Sequence, residues 1–183
     1  TRYSVQLGKE GTDGVYNYFL HNATATDGPV TLRYTVSALT WKWEDDNVGL
    51  AASTDGDGSY PQNAGLYQFE NGHATSELLA LGRTYTVVIA RGEDGTLAYS
   101  VTYTDAEHTE PVTVELPHDN SESGNTGAGA KYFGLFSNRT VIASLTHVTC
   151  VDANGNDLGV ALNSGMGGTG IGDCSVTAEG APP

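Results

Sequence analysis

The chain has 183 residues, which is enough for one domain with a substantial core and too few for two ordinary domains and a linker. Its 22 acidic residues against 8 Lys and Arg give a net charge of −14, which argues against nucleic acid and anionic membranes as partners. An acidic surface suits a neutral ligand, a cationic ligand or a metal ion, and the simpler explanation is solubility in an exported protein.

The composition is typical of an all-β protein. Thr, Val and Tyr dominate the apolar stretches, with 10 Tyr but only 4 Phe and one Met, and such residues fit a half-buried pleated surface. No run approaches the ~18 apolar residues that are needed to span a membrane. Because the chain begins at Thr1 with neither Met nor a signal peptide, we expect a mature or excised piece of a longer protein.

Short strands separated by turn residues recur along the first half of the chain. The segment from Val30 to Val36 alternates most clearly, with its large apolar side chains on one face and Thr31, Arg33 and Thr35 on the other. The strands predicted in this half are Tyr3–Leu7, Val15–His21, Val30–Val36, Val48–Ala52 and Gly65–Phe69.

The clearest local element is a β-hairpin in the second half. Thr84–Arg91 and Thr96–Thr104 flank a Gly-Glu-Asp-Gly sequence, in which Asp-Gly suits a tight turn. Further strands are predicted at Val112–Leu116, Tyr132–Phe136 and Val141–Val151. About ten short strands with short connections predict an all-β, two-sheet antiparallel sandwich.

We predict one sandwich domain over residues 1–177 and the start of a C-terminal linker over residues 178–183. Cys150 and Cys174 are the only cysteines, too few for a tetrahedral thiolate site. In an exported protein a disulfide between them is favoured, and it would contribute about 3 kcal/mol by closing the loop. The alternative is two unpaired thiols, with Cys150 buried and Cys174 on a mobile tail.

The segment from Lys131 to Gly159 carries the most recognisable pattern. An aromatic-Gly-aliphatic strand, Tyr132–Phe136, is followed by a strand that ends in an Asp-x-x-Gly turn at Asp152 and Gly155. This segment resembles the closing strands of concanavalin A-like jelly-roll domains in bacterial glycan-degrading enzymes. The hairpin resembles the middle strands of the same fold, and the run from Val30 to Ser53 resembles its early strands.

The resemblance implies a jelly roll that binds carbohydrate, similar to the lectin-like accessory modules of sialidases, fructan hydrolases and host-glycan glycosidases. The expected partners are a glycan and neighbouring domains of a secreted or cell-surface bacterial protein, either a glycoside hydrolase or an adhesin. One alternative is a structural accessory domain that packs on a catalytic domain, exposes an apolar patch and binds no sugar. The other is a glycosidase or polysaccharide lyase of the same fold.

No catalytic constellation is recognisable, so we expect a domain that is not an enzyme. A glycosidase needs two carboxylates about 5 to 10 Å apart. Glucanases of the resembled fold carry theirs as Glu-x-Asp-x-x-Glu on one strand, a string that this sequence lacks. Lyases of that fold need a Tyr, a His and an Arg in one cleft, for which Tyr85, His147 and Arg139 are the candidates.

Aromatic side chains are natural platforms for sugar rings. Trp41 and Trp43 share a face of an extended chain, beside an acidic stretch; the alternative is that at least one of them fills the core. Arg91 and Arg139 can hydrogen-bond a sugar or clamp a carboxylate, or they pair with a neighbouring Asp instead. The predicted ligand-binding residues are Trp41, Trp43, Asp45, Asn47, Tyr60, Tyr67, Arg91 and Arg139.

Two Asp- and Gly-rich stretches present oxygen ligands at alternate positions. The candidate ligands are Asp55 and Asp57 in the first stretch and Asp152 and Asn154 in the second. Neither stretch has the Glu that completes an EF-hand loop. The resemblance implies instead a structural calcium ion, because modules of that fold often hold one in another arrangement. The alternative is ordinary turn chemistry, in which Asp, Asn and Gly tolerate left-handed backbone angles.

Overall fold

A computed structural model of the chain describes residues 1–9, 18–41, 47–54, 65–67, 78–95, 97–115, 129–138, 141–164 and 174–180. At Asn47, residues 65–67, Asn138 and Ser164 only the backbone is described. The described residues form twelve strands and no helix. The strands are β1 Tyr3–Leu7, β2 Tyr18–Asn22, β3 Val30–Trp41, β4 Asn47–Ser53, β5 Gly65–Tyr67, β6 Thr84–Arg91, β7 Leu97–Thr104, β8 Val112–Thr113, β9 Tyr132–Asn138, β10 Val141–Val151, β11 Val160–Ser164 and β12 Ser175–Ala178.

The strands form two antiparallel sheets. The large sheet has seven strands in the order β12-β1-β10-β3-β6-β7-β8, and the small sheet has five in the order β11-β2-β9-β4-β5. One cluster of buried side chains draws on both sheets and makes the core. The predicted two-sheet antiparallel sandwich is therefore confirmed, while the jelly-roll order of its strands stays a prediction.

The centre of the large sheet supplies much of the core. On β3 the side chains of Val30, Leu32, Tyr34 and Val36 are fully buried, as the alternation predicts. The Tyr34 ring stacks on Tyr85 of β6, with ring centroids 5.2 Å apart. The Tyr34 hydroxyl donates a 2.7 Å hydrogen bond to a backbone carbonyl, so this large polar side chain is buried without leaving its oxygen unsatisfied.

Strand predictions hold best where the alternation is regular. The predicted bounds of β1, β6 and β10 agree with the structure. β3 continues five residues past Val36 to Trp41. The sequence did not predict β11 or β12, because Gly and small polar residues dominate the segment that contains them and hide the alternation.

The predicted linker begins too early. Ala178 lies in β12 and pairs with Tyr3 of β1, and the Glu179 backbone N–H donates to the Arg2 carbonyl oxygen at 2.9 Å. Edge strands need little hydrophobic side-chain signal, since the backbone ladder holds them. Ala178 is therefore part of the large sheet, and Glu179 is hydrogen-bonded to its edge.

The predicted disulfide is also wrong, because the structure contains no bond between Cys150 and Cys174. Cys150 is buried in the core near the end of β10, whereas the sulfur of Cys174 accepts a hydrogen bond from the Gly8 backbone N–H at 3.2 Å. Gly8 follows Leu7, which pairs with Ala143, seven residues before Cys150 on β10. At ~3.3 Å per residue this separates the cysteines by roughly 20 Å along the sheet, too far for a bond.

We expect both thiols to be titrated by a thiol reagent in denaturant without reductant. In the native protein Cys150 should react far more slowly than Cys174, because burial is the main cause that raises the pKa of Cys150 to about 12. Cys150→Ser and Cys174→Ser assign the two reaction phases. A mass two units below the reduced value, with no titratable thiol, would show that the disulfide forms and contradict the structure.

A close approach of β2 and β9 explains one glycine. A Cβ atom added at Gly134 would lie 1.8 Å from the backbone oxygen of Leu20. We expect Gly134→Ala to lower the free energy of unfolding by about 3 kcal/mol or more, because backbone atoms must move to accommodate it. Gly180→Ala is the control, since nothing lies within 4 Å of its added Cβ. Equal urea midpoints for the two variants would refute the close approach.

Candidate functional site

The outer face of the large sheet, turned away from the core, is lined mainly by short hydroxyl-bearing side chains. Residues paired directly across an antiparallel ladder project on the same side, so the register shows which residues form rows. One row contains Thr102, Thr86, Arg33 and Thr149 from four neighbouring strands. The next row contains Thr104, Thr84, Thr35 and Thr146.

A shallow pocket of about 470 Å³ opens on this outer face. We call it the Arg2–Arg33 pocket, and it is lined by Arg2, Arg33, Thr35, Thr84, His147 and Thr149. The hydroxyl oxygens of Thr35 and Thr84 lie 2.8 Å apart and share a hydrogen bond. Guanidinium, imidazole and hydroxyl groups therefore converge in one concavity.

A β-bulge on β10 presents His147 to the pocket. The β10–β3 register shifts between Thr146 and Thr149, and His147 has a φ of 54°, in the left-handed region. Its backbone N–H donates to a carboxylate oxygen of Glu179 at 2.7 Å, and its Nδ1 lies 3.2 Å from the other oxygen. The Glu179 side chain thus satisfies a donor that the interrupted ladder leaves without a strand partner.

Glu179 also fixes the other end of the pocket. Its own N–H holds the Arg2 carbonyl, and its carboxylate accepts a hydrogen bond from the Ser4 hydroxyl at 3.3 Å. The hydrogen bond from the His147 backbone is the largest cause that lowers the pKa of Glu179. One residue in the predicted linker therefore holds both Arg2 and His147 in place.

Other cations of the described chain have structural partners. The Arg83 guanidinium lies 3.8 Å from the centroid of the Tyr103 ring, and its Nε is 4.0 Å from an Asp105 oxygen. Arg91, predicted as a ligand-binding residue, donates to the Ala130 carbonyl at 2.8 Å and is half-buried. The structure therefore gives Arg91 a role in holding the hairpin to the residues before β9.

Arg2 and Arg33 differ from these cations. Lys131 forms an ion pair with Asp27 on the surface, but within the described ranges no carboxylate lies within 4 Å of Arg2 or Arg33. Both are exposed. The sequence placed Arg33 on the outward side of its strand but gave no sign that Arg2 and His147, far away in the chain, share its pocket.

The predicted tryptophan site is only partly described. Trp41 is half-buried and packs against the core cluster. It pairs with Val141, and Asn47 pairs with Asn138. The described strand ends that flank residues 42–46 therefore lie beside those that flank residues 139–140, at one end of the sandwich.

Several predicted residues cannot be placed. Those that lie outside the described residues are Trp43, Asp45, Asp55, Asp57, Tyr60 and Arg139. Asn47 and Tyr67 lie in β4 and β5, where only their backbone is described. The tryptophan platform and the first calcium loop therefore stay predictions.

The second calcium loop is a hydrogen-bonded turn. One oxygen of the Asp152 carboxylate accepts hydrogen bonds from the backbone N–H groups of Asn154 and Asn156, both at 2.9 Å. The Asn156 side-chain amide donates to its other oxygen at 3.1 Å. Hydrogen bonds from Asn156 are the largest causes that lower the pKa of Asp152. Turn chemistry accounts for this carboxylate, and the described residues contain no group of three potential metal-ligating side chains.

The lyase triad is not assembled. Tyr85 is fully buried in the core and stacks on Tyr34, whereas His147 lies on the opposite, outer face of the large sheet. Thr84, the residue before Tyr85, lines the outer pocket together with His147, and successive strand residues point to opposite faces of a sheet. The sheet therefore separates the side chains of Tyr85 and His147, and no small movement brings them together. The grouping of Tyr85 and His147 in one cleft is therefore wrong.

The face of the small sheet that is turned away from the main core contains a buried histidine, His21. His21 is 1% exposed and packs on Phe19 and Tyr132, with ring centroids 4.6 Å and 5.3 Å away. Its Nδ1 lies 2.7 Å from the Asn22 carbonyl oxygen, which only accepts, so Nδ1 carries the hydrogen. Nε2 then accepts from the Asn163 side-chain amide at 2.7 Å. His21 is a neutral imidazole with both nitrogens engaged.

No family model matches the chain, and no curated protein or solved structure matches it. Within the described ranges there is no helix with the length and hydropathy needed to cross a membrane. What the domain does must therefore be inferred from its fold and from the Arg2–Arg33 pocket.

The burial of His21 predicts a pH dependence of stability. Burial is the main cause that lowers the pKa of His21 in the folded state, so the unfolded chain binds the proton more readily. The stability from neutral His21 is complete above the unfolded pKa of about 6.5, and it is lost as the pH falls below that value, by at most about 1.4 kcal/mol per pH unit.

We expect His21→Phe to show a smaller loss of unfolding free energy than the native chain between pH 7.5 and pH 5.5. Acid also relieves the self-repulsion of a chain with a net charge of −14, so the difference between the two proteins is the quantity to measure. Parallel pH profiles for native and His21→Phe proteins would refute the assignment.

Proposed function

We propose that this domain binds glycans non-covalently, and that the Arg2–Arg33 pocket is its binding site. The observation that carries the proposal is the convergence of two arginines and three threonines in one concavity on the outer face of the large sheet. Arginine offers five N–H donors, and each hydroxyl both donates and accepts. Such a lining complements the hydroxyl pattern of a saccharide.

The pocket is built on rigid backbone, which supports a binding role. Arg33, Thr35 and Thr149 lie in the antiparallel ladders of β3 and β10, in the middle of the large sheet. A backbone that is already held in place loses little conformational entropy when a ligand arrives, and the hydrogen-bonded hydroxyls of Thr35 and Thr84 share this advantage. Preformed donors in a concave site suit a ligand that binds through its hydroxyl groups.

Binding without catalysis is the function that this lining favours. The described residues that line the pocket include no Asp or Glu, whereas glycoside hydrolysis uses a pair of carboxylates across the sugar. The packing-only alternative needs an exposed apolar patch. Among the described residues Leu81, at 65% exposure, is the one strongly exposed large hydrophobic side chain, and a single side chain is not a patch.

The rest of the proposal comes from the resemblance. A concanavalin A-like module of a secreted or cell-surface bacterial protein would carry such a site beside neighbouring domains. The proposal includes a structural calcium ion with Asp55 and Asp57 as ligands. It also includes a second area of contact with the glycan, at the end of the sandwich that contains Trp41 and Asn47.

The first test is a glycan-array screen of this domain, run in calcium and again in EDTA, with folding checked by circular dichroism. We expect a confined set of hits in calcium; their loss in EDTA would support the calcium ion. An absence of hits in both buffers, with the protein folded, would overturn the proposed function.

A pair of matched variants locates the site. Thr149→Tyr places a ring in the pocket, whereas Thr102→Tyr places the same ring in the same row but outside the lining. We expect Thr149→Tyr to weaken binding of the array hits about tenfold or more and Thr102→Tyr to leave it unchanged. Equal affinities for the two variants would assign the glycan to another surface, such as the sandwich end at Trp41.

A further inference from the structure

We infer that the Arg2–Arg33 pocket selects acidic sugars, and that Arg2 and Arg33 clamp the carboxylate or sulfate group of the bound saccharide. The inference rests on the proposed function, since it names the ligand class of the same site. Carboxylate and sulfate share the chemistry that matters here, an anionic group with several acceptor oxygens that match the planar fork of a guanidinium.

The charge distribution is the first support. In a chain with 22 acidic residues and 8 Lys and Arg, two arginines line one pocket and have no carboxylate partner among the described residues. Two like charges in one concavity repel each other, and an anion between them removes that repulsion. Arg83 and Lys131, in contrast, already have acidic partners.

The placement of the two arginines is the second support. Arg33 lies between Thr86 and Thr149 in its row, so the base of its side chain is fixed by two ladders. Arg2 is fixed at its backbone by the hydrogen bond from Glu179. Both main chains are anchored, so the two guanidinium groups extend into the pocket region from fixed points of the backbone.

The neighbouring charges favour a single anionic group over a polyanion. Glu179 places a carboxylate beside the pocket residue His147, and its oxygens are occupied by His147 and Ser4. The remaining lining is three threonines, which suit the hydroxyls of a sugar ring. A net charge of −14 repels chains of phosphates at long range, which separates this ligand from nucleic acid.

The test compares ligands that differ only in the acidic group. Calorimetric titrations use oligogalacturonate against its methyl ester, 3′-sialyllactose against its carboxyl methyl ester, and a sulfated disaccharide against the unsulfated one. We expect the acidic member of at least one pair to bind about tenfold to a hundredfold more tightly, as one or two charge-assisted hydrogen bonds allow. The preferred pair identifies carboxylate or sulfate as the recognised group.

Charge-matched variants assign the effect to the pocket. Arg33→Gln and Arg2→Gln should remove most of the preference for the acidic ligand, and Arg33→Lys should restore part of it, because lysine keeps the charge but loses the fork. Lys131→Gln removes the same charge from a surface ion pair away from the pocket and should leave the preference intact.

The failures are distinguishable. If acidic and neutral members bind equally, with binding still lost in Thr149→Tyr, the glycan site stands and the acidic selectivity is refuted. The selectivity of the pocket is refuted as well if Lys131→Gln lowers the preference as much as Arg33→Gln does. If no array glycan and no member of any pair binds the folded protein, the proposed function itself fails and the inference falls with it.

Discussion

The antiparallel ladder between β3 and β10 is the interaction on which both the core and the pocket depend. It is central in the large sheet, and its two faces have different tasks. The inward residues, such as Leu32 and Leu145, are fully buried. The outward residues Arg33 and Thr149 lie side by side in the pocket lining. A shift of the register by one residue would turn every side chain of a strand to the opposite face of the sheet. Burial of the inward side chains therefore fixes which side chains line the Arg2–Arg33 pocket.

The β-bulge at His147 interrupts the β3–β10 ladder without ending it. After the bulge β10 resumes its pairing with β3, so Cys150 still points into the core while His147 reaches the pocket. The carboxylate of Glu179 then supplies the hydrogen-bond acceptor that the ladder omits at this point. A residue on an edge segment thereby stabilises a kink in a central strand, and the same residue holds the main chain of Arg2. Fold and site share one set of contacts.

Local sequence patterns predicted what depends on local physics. The alternation of Val30 to Val36 gave the buried and exposed faces of β3, and the hairpin at β6 and β7 followed from its turn residues. The meeting of Arg2, His147 and Glu179 depends on pairing between the two ends of the chain, which no local pattern encodes. For the same reason the cysteine pairing was wrong, because the number of cysteines carries no information about which strand positions adjoin.

Positively charged side chains are scarce in this chain, so two of them in one pocket without an acidic partner among the described residues are notable. In a chain this acidic, a cation on the surface is readily neutralised by one of many carboxylates, as Asp27 neutralises Lys131. Arg33 is kept from such pairing by its row, because its direct cross-strand neighbours are threonines and an acidic side chain in either position would face it. The hydroxyl-rich face therefore does two things at once. In the proposed function, its hydroxyl groups are the uncharged partners of a saccharide, and the absence of acidic neighbours leaves the guanidinium groups of the pocket for an anionic group of that saccharide.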